Sequence, residues 1–229
     1  MNLTFGPTQQ IKQQMDNNKA LFNTLLHLGD NALILGHRIS EWCGHGPVLE
    51  QDIALTNIAL DLIGQARLYL DYAGKIEGEG RDEDALAYRR DVLDFKNALI
   101  AEQPNDDFAH TIARQFYFDT WHLLLLESLQ NSKDEGLRNI VLKSIKEVTY
   151  HARFSSEWVI RLGDGTEESK TKMQEGIDDL WMWTNELFEE TAEEKELIEA
   201  GIYAPVSKLK DAWLAKVKEI LEEATLALP

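Results

Sequence analysis

Four acidic residues, Glu41, Asp61, Asp119 and Glu147, each stand inside a long segment that is otherwise apolar at helical spacing. A carboxylate held in the interior of a helix bundle costs several kcal/mol unless a base, a hydrogen-bond donor or a metal stands beside it. The pattern therefore restricts the chain to folds in which several long helices bring such acids to a common, compensated centre.

The periodicity supports that architecture. A first long helix is expected from about Lys19, carrying Leu21, Leu25, Leu28, Ala32, Leu35 and Ile39 on one side, and ending at Cys43-Gly-His-Gly-Pro47. A second runs from about Val48 to Ala73, where Gly74 and the glycine-rich 77–80 stretch end it. Two short helical pieces, about 82–90 and 93–102, form a crossover, after which Asp107 is a suitable N-cap for a third long helix through Gln130. The fourth extends from about Asp134 to Arg161 and stops at Gly163-Asp-Gly. Helices over about 167–188 and 207–226 follow, with an acidic stretch before Glu199 read as a solvated face or a docking site for a basic surface. Residues 1–18 read as a flexible polar leader and 19–229 as one helical domain. Strand-like alternation is absent, and no period of the length used by helical repeats recurs.

Within this frame the acids resemble an incomplete ligand set. A carboxylate-bridged di-iron bundle takes one Glu or Asp from each of two helices and a Glu-x-x-His from each of the other two. Here Asp61 is followed at i+3 by Gly64, and Glu147 by Tyr150, with His151 one position late. One reading gathers Glu41, Asp61, Asp119, Glu147 and His151 around a metal pair, with His122 three residues beyond Asp119 as a substitute ligand. The other fills the centre with bases: Arg38 near Glu41, and Lys143 at i−4 from Glu147. Catalytic residues are expected to be absent in the second reading. Cys43, the one cysteine, excludes an internal disulfide, fits a reducing cytoplasm, and has no neighbouring base to make it a nucleophile.

Charge narrows the partners. Forty acidic against 23 basic side chains give a net charge of −17, a field that repels nucleic acid and anionic membrane surfaces. The longest clean apolar run, Leu123 to Leu126, is far too short to cross a bilayer. The six tryptophans are expected in the core or at a subunit interface, and the helix bearing Phe116, Phe118, Trp121 and Leu123 to Leu126 is the candidate docking face, with Phe118, Trp121 and Leu125 as contacts.

Several ordered segments carry a family resemblance: Glu41-Trp-Cys-Gly-His45, Ala59-Leu-Asp-Leu-Ile-Gly-Gln-Ala-Arg67, Glu102-Gln-Pro-Asn105, Asp119-Thr-Trp-His122, Lys146-Glu-Val-Thr-Tyr-His-Ala-Arg-Phe154 and Arg161-Leu-Gly-Asp-Gly-Thr166. Across residues 20–228 the chain resembles the C subunits of bacterial ring-1,2-phenylacetyl-CoA epoxidases. That resemblance implies an all-α, ferritin-like long-helix bundle with additional short crossover and C-terminal helices, acting as a non-catalytic structural subunit in aerobic phenylacetate degradation. It implies pairing with a homologous A subunit that holds the di-iron centre, a bridging B subunit, and a reductase that supplies electrons from NADPH. No cofactor is then expected in this chain itself. The competing expectations are an independent di-iron oxygenase or oxidase using Glu41, Asp61, Asp119, Glu147 and His151, and an iron-storage scaffold that assembles with copies of itself.

Overall fold

The computed structural model describes the backbone of residues 7–229 and the side chains from Met15 onward. Four long helices form the body: α1 (Pro7–Ser40), α2 (Leu49–Glu77), α5 (Phe108–Leu129) and α6 (Glu135–Gly163). Between α2 and α5 lie α3 (Glu83–Tyr88), a 3₁₀ turn (Val92–Asp94) and α4 (Leu99–Glu102). After α6 come α7 (Glu167–Trp181), α8 (Ala192–Ala200) and α9 (Lys210–Glu223). No strand occurs among the described residues, and no helix there is long and apolar enough to cross a membrane. The architecture is all-α and ferritin-like.

The first helix begins earlier than its apolar pattern suggests. Residues 7–18, expected as part of a flexible leader, continue α1 as helix, with Pro7 at the first helical position where its missing N–H costs nothing. The rest of that leader, residues 1–6, lies outside the described residues. Asp107 and Asp134 cap α5 and α6 through bonds from the His110 and Leu137 amides, as their positions before the two apolar runs predict.

Close backbone approach sets how the helices meet. A Cβ on Gly29 would stand 2.9 Å from Leu70, so this glycine lets α1 lie tightly on α2. Likewise Gly136 receives the Tyr72 ring, where a Cβ would fall 2.2 Å from it, and the Tyr72 hydroxyl donates to the α6 cap Asp134 at 3.0 Å. Contacts of Tyr72 with 134–136, Gln65 with Glu147 and Asp61 with His151 fix α2 and α6 as antiparallel neighbours.

The crossover is fastened along α1. Asp30, fully buried, accepts from the Arg90 guanidinium (Nη1, 2.9 Å) and from the Lys96 amide at 2.9 Å. Asn31 accepts from the Ala98 amide at 2.7 Å, and Arg38 reaches the Glu102 carbonyl at 2.9 Å. The chain thus returns along the bundle to start α5 beside the end of α1, where Trp42 Nε1 donates to Thr111 at 3.0 Å. On its other side α5 is covered by α7 and α9: Trp213 Nε1 donates to the Tyr117 carbonyl, and the Tyr117 hydroxyl to the Ile177 carbonyl, both at 3.0 Å.

The expected docking contacts are corrected by burial, while Leu123 and Leu124 of the same helix are half-buried and line an apolar groove with α6 and α9. Phe118, Trp121 and Leu125 are core residues, each at most 1% exposed. A helix that is buried on most of its faces is a central helix, and α5 is that helix from Thr111 to His122.

Candidate functional site

The buried stripe of α6 runs through Ser144, Val148, His151, Ala152, Ser155 and Val159. This register carries His151 into the interior, leaves Glu147 on the edge facing α2 and leaves Tyr150 exposed. His151 is fully buried, and its Nε2 lies 3.1 Å from Oδ2 of Asp61 on α2. Asp61 itself keeps about a third of its side chain in a surface groove. Glu147 turns into the same groove and accepts from Gln65 Nε2 at 2.9 Å. Gly64, at the i+3 position from Asp61, leaves open space where a side chain would stand.

Deeper in, α5 contributes Asp119 and His122. Burial pushes the Asp119 carboxyl up from 3.8 to about 6, while His151, Ser155 and Arg114 pull it back. Neither of its oxygens has a hydrogen-bond partner, since Ser155 donates instead to the His151 carbonyl at 3.0 Å. Burial, and then the proximity of His151, depresses His122 to about 3, so its imidazole is neutral. The Gln115 amide and Nδ1 of both histidines also lack partners. Such orphaned atoms cost about 1–3 kcal/mol each, which makes this the most polar and least satisfied part of the interior.

Glu41 stands apart. It lies in the turn after α1, accepting from Arg38 Nη1 at 3.2 Å and Asn105 Nδ2 at 2.9 Å. Asn105 in turn accepts from Arg114 Nη2 at 2.8 Å, and Arg114 Nη1 donates to the Gln103 carbonyl at 2.6 Å. Arg114 is fully buried on α5, and burial, followed by the like charge of Arg38, brings its guanidinium down to about 9 against the opposing pull of Glu41 and Asp119. Arg38 therefore pairs with Glu41 as expected, at the end of the bundle and half exposed, not in its centre. Lys143 is corrected: it is exposed on the rim of the groove and forms no ion pair among the described residues, because the α6 register that buries His151 points position 143 outward. Arg114 and Asp30 were not singled out by the sequence, though each carried the same signal as Asp61: a charged residue in an apolar helical run.

These residues do not fit a carboxylate-bridged metal pair. Asp61 is engaged by His151, Glu147 by Gln65 and Glu41 by Arg38 and Asn105, leaving Asp119 as the interior carboxylate among the four. Among the described residues, no three His, Cys, Asp or Glu side chains are grouped to hold a metal ion.

Fold and site together define a ferritin-like helical bundle with a polar, incompletely satisfied centre. The chain belongs to the phenylacetic acid catabolic protein family, which it matches over residues 4–229. It is similar to the C subunit of the 1,2-phenylacetyl-CoA epoxidase of Escherichia coli (strain K12), 51% identical over 204 residues that make up 89% of this chain and 82% of the relative.

Proposed function

We propose that this chain is the non-catalytic structural subunit of a phenylacetyl-CoA 1,2-epoxidase, pairing with and stabilising a homologous catalytic A subunit that carries the di-iron centre. One observation carries the reading: the positions a di-iron bundle gives to metal ligands hold Gly64 and Tyr150 in place of histidines, and three of the four acids, Glu147, Asp61 and Glu41, are engaged by Gln65, by His151, and by Arg38 with Asn105. The 51% identity to a protein named as the C subunit of that epoxidase supplies the reaction to which such a bundle would belong. In this role the chain contributes surface and rigidity, and the oxygen chemistry, with electrons from an NADPH-dependent reductase, resides in the partner.

The test is elemental analysis of this chain purified alone from iron-supplemented cells, alongside co-purification with the A-type subunit. Less than about 0.1 iron per chain is expected from ligands so incompletely grouped, together with a stable complex. About two irons per chain, the content of a filled di-iron site, would overturn the structural reading in favour of an independent oxygenase.

A further inference from the structure

In the first turn of α5 a half-buried histidine stands between two aspartates. His110 Nδ1 lies 3.2 Å from Oδ1 of Asp107, the α5 cap, and its Nε2 lies 3.2 Å from Oδ2 of Asp179 on α7. A neutral imidazole carries one N–H, so it serves one of these oxygens and sets a lone pair against the other, whereas the imidazolium donates to both. We infer that His110 is a proton-operated clasp between α5 and α7: charged, it bridges Asp107 and Asp179, and as pH rises its loss of a proton releases Asp179 and loosens this edge of α7.

The clasp closes where the two helices are in close backbone contact. A Cβ on Gly176 of α7 would stand 3.1 Å from the His110 Cα and 3.3 Å from the Ala113 Cβ. Two side chains of α5 then hold α7 in this region. The inner one, Tyr117, donates to the Ile177 carbonyl and stays protonated near neutrality, because burial pushes its phenol up. The outer one is His110, and it titrates.

The charges around the ring are mostly acidic. Burial disfavours the imidazolium, yet the hydrogen bonds to Asp179 and Asp107, with the fields of Asp107 and of Asp106 in the preceding turn, outweigh it and raise the ring above its ordinary 6.5. They do so at the positive end of the α5 dipole, where a cation is otherwise unfavourable. Lys172 of α7, which Asp107 also attracts, is held by Glu168 at 3.0 Å, and Arg114, one turn along α5, is spent on Gln103 and Asn105. A raised value means that the clasp contributes fully below pH 6.5 and is lost as pH passes through the folded-state value. The neutral ring keeps Asp107, which the His110 amide fixes in the same turn at 2.9 Å, and gives up Asp179, which is 71% exposed and rehydrates where it stands.

Two readings on the full chain test the clasp from about pH 5 to about pH 9, across the histidine range. One is the NMR titration of the His110 ring, assigned by its disappearance in His110→Gln. The other is deuterium exchange of the α7 amides, corrected for the intrinsic effect of pH. In the wild type the ring is expected to titrate above 6.5. Exchange in α7 is expected to quicken beyond the intrinsic effect by about threefold or more as the proton leaves, the size of one hydrogen bond. Asp179→Asn is expected to lower the midpoint of the ring and remove the extra exchange, and His110→Gln to remove the extra exchange as well. Asp178→Asn, one position away and bonded instead by Gln174 at 2.8 Å, is expected to leave both readings as in the wild type. A ring that titrates at or below 6.5, or a midpoint that does not fall in Asp179→Asn, overturns the clasp. So does a midpoint that falls as far in Asp178→Asn, which would make the effect one of overall charge. Absence of extra exchange in the wild type, or its persistence in His110→Gln, overturns the coupling to α7 and the inference with it.

Discussion

Two buried aspartates, 89 residues apart in sequence, are treated in opposite ways. Asp30, where the crossover lies on α1, is surrounded by donors: the Arg90 guanidinium and the Lys96 amide. Asp119, at the middle of α5, is as deeply enclosed and has no donor on either oxygen. The first is a fastener, a charge whose burial is offset within the chain and which ties a long connection to the bundle. The second has no donor to offset its burial, which pushes it toward the protonated form instead. Burial alone therefore says little about what an acidic residue does; the donors around it decide.

The comparison breaks most severely at the fastener. Asp30→Asn leaves the Arg90 guanidinium, 4% exposed, without a counter-charge. Removing one partner of a buried pair costs about 3–5 kcal/mol, and urea unfolding at pH 7 is expected to show that loss. A loss below about 1 kcal/mol, the range of exposed pairs, would mean that Asp30 and Asp119 do not differ in kind.

At Asp119 the sign is reversed. Its folded-state value is raised from 3.8 to about 6, so the native protein holds this proton more tightly than the unfolded chain. Stability from this group is full below 3.8, declines as pH rises toward about 6, and is flat above that. About two pH units correspond to about 3 kcal/mol. Asp119→Asn is therefore expected to be neutral relative to wild type near pH 4 and stabilising by up to that amount at pH 7, read as the difference between the two unfolding curves. An advantage that does not grow with pH would show that the His151, Arg114 and Ser155 contributions already satisfy the carboxylate.

A smaller effect sharpens the boundary between the two cases. Asp61 is partly solvated and accepts from a fully buried imidazole. Asp61→Asn keeps a hydrogen bond and loses the charge, so a cost of about 1 kcal/mol is expected in the same unfolding assay after discounting for exposure. A cost equal to that at Asp30 would place Asp61 among the fasteners.

Much of this arrangement is legible in the chain. The stops at Gly44 to Pro47, Gly74 to Gly80 and Gly163 to Gly165, with the aspartate caps, place both ends of α2, α5 and α6 and the C-terminal end of α1 within a few residues, because turn chemistry is local. The missing histidines at 64 and 150 are equally plain. What cannot be read is which face each helix turns inward. The pattern places Glu147 at the centre, and it lies in a groove; it places Trp121 on a surface, and that ring lies in the core. Both depend on how far α6 is rotated and on how many helices surround α5, and those are set by distant contacts such as Tyr72 with Gly136 and Trp213 with Tyr117. Pairings such as Arg90 with Asp30, 60 residues apart, leave no local trace at all.

The enclosure of α5 has a consequence for motion. Buried from Thr111 to His122, and with α7 and α9 hydrogen-bonded to its Tyr117, the middle of α5 exposes its amides to solvent deuterium only when those layers separate together. Exchange at the middle of α5 therefore reports the free energy of opening the whole bundle, whereas the exposed turn at Val92 and Leu93 reports only its own fraying.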